Sequence, residues 1–180
     1  MSESERLRDA AYATSINPAT WDHAVAGYYG GPGAFRIWAR EDWHRFHGRK
    51  KLPIWVAAQG NKNGTEDGHA AVAALAALGV PAHVYTVLDM ETMADKTYVE
   101  AFGEVLHRAG YKVWVYGSAA TVFENPGLDG YWVADYAGIG PFMYERKGAE
   151  VRATQYQAGE EFDSSAVKDF TFHDRPRWWI

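Results

Sequence analysis

Residues 68–90 read GHAAVAALAALGVPAHVYTVLDM and contain the pattern that decides the fold. The alanine-rich first half has larger apolar residues at helical spacing and predicts a helix that ends at Gly79. The β-branched and aromatic residues of 80–90 then predict a buried strand. A helix, a glycine and an apolar strand in this order indicate one unit of a parallel sheet with right-handed crossovers.

The same unit recurs along the chain. Residues 96–109 (KTYVEAFGEVLHRA) predict an amphipathic helix, Gly110 ends it, and 111–118 (YKVWVYGS) predict the next strand. Upstream of the central unit we expect a helical stretch at 37–48 and strands at 10–16, 23–30 and 51–58. Downstream, with little room for helices, we expect strands at 130–138, 151–157 and 167–173.

About five βα units followed by three nearly helix-free strands predict a compact, TIM-like (β/α) barrel of the α/β class. The chain has 180 residues, which is short for an architecture that usually takes ~250 residues. An open, doubly wound sheet is the alternative fold. We expect one domain over residues 1–180, with 1–10 as a flexible segment and 174–180 as an aromatic C-terminal tail.

The composition excludes several classes of function. The net charge of −5 leaves no basic surface for nucleic acid. The absence of cysteine excludes disulfides, thiol catalysis and cysteine-based zinc sites. Eight tryptophans and eleven tyrosines are many for this length. Such amphipathic rings fill cores, and they also line sugar-binding clefts.

The sequence carries no sign of membrane insertion or secretion. The first residues, MSESERLRDAAYA, are charged and have no apolar segment of the kind found in a secretory signal. The apolar runs are too short to span a bilayer. We therefore expect a soluble protein without membrane partners, either cytoplasmic or delivered by a phage system, with the cell wall as a further place of action.

Two acids follow the central strand with one residue between them. Because side chains alternate along a strand, Asp89 and Glu91 point to the same face. In a parallel barrel, the carboxyl ends of the strands carry the active site. Two neighbouring carboxyl groups can hold different pKa values, one protonated and one ionised. A solvated strand end is the alternative interpretation of this spacing.

Five short stretches carry a family resemblance. They are VLDMET (87–92), VWVYGS (113–118), GYWVADY (130–136), ATQYQ (153–157) and EEFDSS (160–165). In this order they resemble the family 25 glycoside hydrolases, which are lysozyme-type muramidases. They also resemble the related glycoside-hydrolase-like family of unknown function, to which YYGG (28–31) and LPIWV (52–56) are more similar.

The resemblance implies a role for each matching residue. Glu91 falls on the general acid, Asp89 on the carboxylate that assists at the reacting sugar, and Asp163 on a supporting aspartate. Tyr116 and Trp132 match aromatic residues of the cleft. Two further residues of the matching stretches, Trp55 and Gln155, are expected to contact substrate. Asp135 is either a cleft acid or a polar edge residue.

The implied substrate is a β-1,4 linkage of N-acetylmuramic acid in peptidoglycan. The general acid would protonate the departing oxygen while a carboxylate stabilises oxocarbenium-like charge. The sugar's own acetamide can also serve as nucleophile. No metal or organic cofactor is expected. His44 and His47 near Asp42 could form half of a metal site, but an exposed polar helix face is the more typical interpretation.

One position departs from the family pattern. The family's first strand carries Gly-x-Asp-x-Ser, whereas residues 11–15 read AYATS and place Ala13 where the acid is expected. Either the first strand lies elsewhere or one cleft carboxylate is absent. Loss of one acid can remove most of the rate while leaving binding intact. The alternative function is therefore a glycan-binding or structural module, such as a phage virion component. A third possible function is a barrel enzyme that acts on another small substrate.

The C-terminal tail ends on Trp178, Trp179 and Ile180. Three large apolar residues at a chain end are expected either to close the bottom of the barrel, or pack on a helix, or to dock a protein partner.

Overall fold

The structure is a computed structural model that describes residues 5–60, 63–91, 95–136, 140–168 and 178–180. Eight strands form one closed barrel in chain order. They are β1 (Glu5–Asp9), β2 (Ala24–Gly30), β3 (Lys51–Val56), β4 (Tyr85–Asp89), β5 (Lys112–Ser118), β6 (Tyr131–Ala134), β7 (Val151–Gln157) and β8 (Asp163–Val167). The helices are α1 (Arg40–His44), α2 (Gly64–Leu78) and α3 (Lys96–Arg108), with 3-10 turns at Ala13–Ser15 and Val122–Glu124.

The barrel prediction is confirmed, and the open sheet is excluded because β8 closes the circle onto β1. The first seven strands run parallel to their neighbours, whereas β8 is antiparallel to both β7 and β1. The parallel strands therefore end at one mouth, and β8 begins at that same mouth. This places the side chains that follow β1 to β7 together with the first residues of β8.

Alternation along the strands produces two apolar layers. One layer fills the barrel, with Leu52, Val87 and Trp114 among its members. The other lies between the sheet and the helices and includes Leu75 and Phe102. Since each strand contributes to both layers, the parity of a residue decides whether it faces the lumen or the helices.

The paired helices α2 and α3 pack closely because glycine lies between them. A Cβ on Gly64 would lie 2.2 Å from the carbonyl oxygen of Tyr98. Asn63 caps α2 by accepting a hydrogen bond from the Glu66 amide at 3.0 Å, and the left-handed Gly79 (φ 76°) ends it. Both predicted helices are thus present. None of the helices in the described part of the chain is long and apolar enough to cross a bilayer.

The first strand is earlier than the sequence analysis predicted. Residues 10–16 were expected to form it, but β1 is Glu5–Asp9, and Ala13 lies in a buried 3-10 turn. The sequence ERLRD is rich in charge, but it forms a strand whose outward side chains include that of Arg8. That guanidinium lies between aromatic rings, 3.9 Å from the centroid of Trp21 and 4.0 Å from that of Phe162. Part of the expected flexible N-terminus is therefore a barrel strand.

Two other boundaries also differ. The helix expected at 37–48 is regular only over Arg40–His44, after which Phe46 and His47 continue in turns. The last strand, expected at 167–173, is Asp163–Val167, because its register is set by pairing with β1 and β7. Residues 169–173 of that prediction lie outside the described part of the chain.

The C-terminal tryptophans pack on their own barrel. Trp178 lies in the lumen layer with its ring edge-on to Trp114, at 6.0 Å between centroids. Trp179 contacts the ring of Trp43 at 5.0 Å, and its carbonyl accepts a 2.7 Å hydrogen bond from the Lys51 amide. Residues 178 and 179 of the tail thus lie at the barrel end opposite the mouth, while 174–177 lie outside the described residues. The two rings therefore face this chain, whereas the partner-docking interpretation requires them to be exposed.

Candidate active site

A cavity of about 60 Å³ lies at the mouth of the barrel. Every strand except β7 contributes to its lining, through the same parity that fills the lumen below. For example, Asp89 follows Val87 at the end of β4, and Tyr116 follows Trp114 on β5. The lining residues are Asp9, Tyr28, Ile54, Asp89, Glu91, Tyr116, Trp132, Tyr136 and Asp163.

Asp89 and Glu91 form a fixed pair at the end of β4. The Glu91 amide donates a 2.9 Å hydrogen bond to Asp89 Oδ1. The Met90 amide between them donates to the Tyr116 carbonyl at 2.9 Å, which ties this turn to β5. Asp89 is buried, whereas Glu91 is exposed at the opening. The pair therefore presents one rigid, buried carboxyl group and one accessible carboxyl group to the same cavity.

Burial raises the pKa of Asp89 to about 7, with the nearby charge of Glu91 acting in the same direction. The hydrogen bond from the Glu91 amide acts against this rise. The carboxyl group of Asp89 therefore titrates near neutrality, which is typical of a group that exchanges protons or charge during a reaction.

A second pair of acids lies on the first and last strands of the barrel. Asp9 is the last residue of β1, and its register partner in β8 is Asp163. Asp163 Oδ1 accepts from the Gly159 amide at 2.9 Å and Oδ2 accepts from Gln155 Nε2 at 2.5 Å. The buried Asp9 Oδ1 has no hydrogen-bond partner among the described residues. It is an open acceptor or donor position beside the cavity.

Burial also raises the pKa values of this second pair. It raises the pKa of Asp9 well above its usual range, and the charges of Asp163, Asp89 and Glu91 add to the effect. It raises the pKa of Asp163 as well, against the two hydrogen bonds that this carboxylate accepts. The cavity thus concentrates carboxyl groups that resist ionisation together.

Asp9 resolves the question raised by Ala13. The sequence alignment put an alanine at the expected first-strand acid because it placed the strand too late. In the structure, Ala13 packs in the outer apolar layer, and Asp9 brings a carboxyl group to the mouth from the true β1. The second alternative, a missing cleft carboxylate, is therefore wrong.

Aromatic side chains form the other wall of the cavity. The rings of Tyr116 and Trp132 meet at 65°, with 5.1 Å between centroids. The Tyr116 hydroxyl donates to Gln155 Oε1, and Trp132 Nε1 donates to Ser165 Oγ at 3.1 Å. Burial, with the charges of acids such as Asp9, raises the pKa of Tyr116. Its hydroxyl therefore stays protonated, and Gln155 links it to Asp163 without lining the cavity itself.

Besides Gln155, two of the predicted substrate-contacting residues lie outside the cavity lining. Trp55 faces the helices, where its ring packs against Tyr29 at 5.4 Å and Phe102 at 6.3 Å. Its neighbour Ile54 has the inward parity and lines the cavity instead. Asp135 follows β6 and lies outside the cavity lining, while its amide donates to the Gln155 carbonyl at 2.9 Å.

Sequence reasoning missed three further lining residues. Asp9 lies two residues after the inward Leu7 and therefore points inward too, although two arginines make this strand hard to recognise in the sequence. Tyr28 has the inward parity of Ala24 and Ala26 in β2, and Tyr136 lies two residues beyond Ala134 of β6. Parity would have identified these positions if the strand bounds had been known.

A second, open cavity of about 280 Å³ adjoins the first. Asp89 and Glu91 line both cavities. The second is bounded further by the loops after β2 and β3, through Gly33, Val56, Ala57, Ala58, Gln59 and Met90. The acids therefore lie between a small space at the mouth and a larger one that extends towards β2 and β3.

Within the described residues, no group of three or more His, Asp or Glu side chains is arranged to hold a metal ion. His44 and His47 are both exposed. Asp42 is used locally, because its carboxylate accepts a 2.9 Å hydrogen bond from the Ala39 amide at the start of α1.

Comparison with known proteins gives one family match. Residues 44–165 match the family model described as Rv2525c-like, glycoside hydrolase-like domain. A comparison with curated proteins gave no match. The family match covers most of the barrel and includes Asp89, Glu91 and Asp163, whereas Asp9 precedes the matched region.

Several solved structures share the fold. An uncharacterised protein of B. stearothermophilus has a TM-score of 0.71 at 17% identity, over 91% of this chain and 96% of that chain. The secreted protein Rv2525c of Mycobacterium tuberculosis, solved with L-tartrate, has a TM-score of 0.69 at 14% identity, over 99% and 100%. The autolysin LytC of Streptococcus pneumoniae, solved with a synthetic peptidoglycan ligand, has a TM-score of 0.75 at 14% identity. That match covers 93% of this chain and 47% of LytC, so this chain spans about half of the autolysin.

Proposed function

The chain belongs to the Rv2525c-like, glycoside hydrolase-like domain family, and from this premise we propose that it hydrolyses the glycan of bacterial peptidoglycan. The observation that carries the proposal is the convergence of four carboxyl groups, those of Asp9, Asp89, Glu91 and Asp163, on one cavity walled by aromatic rings. The peptidoglycan ligand of the similarly folded LytC is consistent with this substrate class. Such a substrate would place the site of action at the cell wall.

Glu91 is the proposed general acid. It is the accessible member of the acid pair and lines both adjoining cavities, so a glycosidic oxygen lying between them could reach its carboxyl group. Protonation of the leaving oxygen is the part of glycoside hydrolysis that an accessible acid must supply. The bond in question is the β-1,4 linkage of N-acetylmuramic acid.

Asp89 is the proposed assisting carboxylate. Its position is fixed by the Glu91 amide, and a pKa of about 7 lets it become ionised near neutrality. An ionised Asp89 would stabilise positive charge at the reacting sugar, or orient the acetamide of an N-acetyl sugar for attack. Asp163 and Asp9 would support substrate through hydrogen bonds. The residues Tyr116 and Trp132 would form the sugar-contacting wall.

The test is loss of turbidity of purified peptidoglycan with wild type and with Glu91→Gln. Wild type should clear the suspension, and Glu91→Gln should lose at least a hundredfold in rate. Glu100→Gln on the exposed face of α3 makes the same chemical change away from the mouth and should clear like wild type. Equal clearing by wild type and Glu91→Gln, or no clearing by either, would reject the enzymatic proposal.

The second candidate function is a glycan-binding module without catalysis. It is favoured by the raised pKa values of Asp9, Asp89 and Asp163, because carboxyl groups whose ionisation is disfavoured stabilise positive charge less well and still form hydrogen bonds with sugar hydroxyls. Retention on insoluble peptidoglycan without release of reducing ends would support binding alone. Release of reducing ends by wild type would exclude it.

A further inference from the structure

The rim of the mouth beside β1 and β2 carries exposed apolar side chains that the proposed chemistry does not use. Tyr12 is 46% exposed, Phe35 82% and Ile37 52%. Tyr12 lies shortly after Asp9, and Phe35 lies in the segment 31–38 that follows β2, so both are on the mouth side of the barrel. We call residues 31–38 the rim loop.

Tyr12 and Phe35 contact each other at right angles. Their ring centroids are 6.4 Å apart and their planes meet at 78°. The guanidinium carbon of Arg36 lies 5.4 Å from the Tyr12 ring centroid. The surface therefore combines two flat apolar faces with one exposed cation.

The rim loop is anchored on both sides of Phe35. The Gly33 amide donates to the Val56 carbonyl at 3.1 Å. Gly31 has φ 111° and approaches β3 so closely that a Cβ would lie 2.2 Å from the same carbonyl oxygen. At the other end Trp38 is buried, and its Nε1 donates to the Ala10 carbonyl at 3.0 Å. The anchored loop therefore keeps the Phe35 side chain exposed to solvent.

A cluster of large apolar side chains held in water on an anchored loop is typical of a binding surface. Flat aromatic rings with a polar neighbour suit the C–H face of a pyranose, which is apolar while its edges carry hydroxyls. The space between the rim loop and the acids is continuous, because Gly33 of the loop lines the 280 Å³ cavity together with Asp89 and Glu91. A chain of sugars leaving the acids in this direction would meet the rim loop.

We propose that Tyr12 and Phe35 form a stacking subsite for an N-acetylhexosamine ring of the glycan, beyond the sugars held at the acids. The exposed guanidinium of Arg36 would pair with carboxylate groups on the stem peptides of such a glycan. This inference rests on the proposed function, because it takes peptidoglycan as the polymer at the mouth. It adds a subsite on the β1–β2 side to the residues that line the two cavities.

The test is retention on insoluble purified peptidoglycan, measured on ice before any clearing, as a dissociation constant from depletion of the soluble protein. Phe35→Leu keeps an apolar side chain but removes the flat ring, and it should weaken retention by about three- to tenfold. Tyr12→Leu should act in the same direction. Phe35→Tyr keeps the ring and should bind like wild type. The matched control Ile180→Ala removes an exposed apolar side chain (58% exposed) from the far end of the barrel and should leave retention unchanged.

The outcomes separate this inference from the proposed function. If wild type is retained and both leucine variants bind equally well, the subsite is rejected while the proposed function stands. If wild type is not retained at all, the subsite is overturned, and the turbidity assay alone decides the proposed function. The same variants are mixed with phosphatidylglycerol–phosphatidylethanolamine vesicles. Vesicle binding that depends on Phe35, with unchanged glycan retention, would assign the rim loop to a lipid surface and overturn the subsite.

Discussion

Asp9 and Asp163 are register partners across the antiparallel contact between β1 and β8, so the first and last strands of the barrel bring two carboxyl groups to one cavity. Burial raises the pKa of both groups. Burying several acids at one cavity disfavours the folded state, because like charges cannot be separated or solvated there. Such a cost is typical of a functional site and is unnecessary for closing a barrel.

Replacement of Asp9 by asparagine should therefore separate stability from function. Asparagine has the same shape and no ionisable group, so it removes the cost of burying an acid whose pKa is raised. We expect Asp9→Asn to raise the free energy of unfolding at pH 7.5 by about 1 kcal/mol and to lower peptidoglycan clearing. Urea unfolding and turbidity loss are measured on the same preparations. A variant that is less stable than wild type, yet equally active, would contradict this account of Asp9.

Asp89 should make the protein less stable as the pH rises. Its pKa is raised to about 7 in the folded state, against about 3.9 in an unfolded chain. Between these values the folded state holds a proton that the unfolded state has released, so the free energy of unfolding falls with increasing pH. The whole loss is on the order of 4 kcal/mol for a shift of about three pH units.

The measurement is urea unfolding of wild type and Asp89→Asn at pH 4.5 and 7.5. Asparagine keeps an oxygen acceptor for the Glu91 amide and cannot titrate, so the variant should lose less stability than wild type between the two pH values. Asp22→Asn, which changes an exposed aspartate on the loop before β2, should retain the full wild-type pH dependence. Parallel behaviour of wild type and Asp89→Asn would show that Asp89 does not titrate in this range.

Most strands of the barrel were predictable from the sequence, because their residues either alternate between apolar and polar or are apolar throughout. The units at β4 and β5 combine such strands with helices that end at Gly79 and Gly110. β1 was misplaced because Arg6 and Arg8 surround a single inward leucine, and the favourable position of Arg8 between two rings depends on distant segments. Its register partner β8 was misplaced too, because only pairing fixes where it begins.

The acids of the site were predictable where the sequence shows which residues of a strand point inward. Asp89 and Glu91 follow a strand whose end is marked by polar residues, and both line the cavity. Trp55 belongs to a strand that is apolar on both faces, so nothing local marks its inward side; Ile54 has that position. Asp9 could not be assigned without knowing that β1 ends there.

Asp129 should show the opposite pH dependence to Asp89. Although burial acts to raise its pKa, hydrogen bonds from the Val113 amide, His107 and Lys112 hold the pKa below its usual range. The distances are 2.9 Å to Val113 N, 2.6 Å to His107 Nε2 and 3.0 Å to Lys112 Nζ. This carboxylate stabilises the fold above its unfolded pKa of about 3.9 and loses its contribution as the pH falls through its folded value.

Asp129→Asn should therefore lower the free energy of unfolding by about 1–3 kcal/mol at pH 7, and the difference from wild type should shrink towards pH 3. Guanidinium chloride unfolding of wild type and Asp129→Asn at both pH values measures this difference in stability. Glu104→Gln removes an acid from the exposed ion pair with Arg108 and should change stability by less than about 0.5 kcal/mol. An Asp129→Asn effect no larger than that of Glu104→Gln would mean that the buried contacts contribute little.

Trp178 should contribute more to stability than any surface residue of the tail. Its ring is 7% exposed, lies edge-on to Trp114 in the lumen layer, and has the Lys50 ammonium 5.7 Å from its centroid. Truncation to alanine would leave a cavity at the closed end of the barrel, because the backbone pairing of Trp179 with Lys51 still holds the tail in place. We expect Trp178→Ala to lower the free energy of unfolding by about 3–5 kcal/mol.

Ile180→Ala, two residues further along the same tail, should stay within about 0.5 kcal/mol of wild type because that side chain is 58% exposed. Urea unfolding compares the two variants, and peptidoglycan retention is measured in buffer where both remain folded. Retention should be unchanged for both, since the tail lies at the end of the barrel opposite the acids. A Trp178→Ala variant with wild-type stability would mean that the ring is not packed in the lumen, which would restore the interpretation of the tail as a docking segment.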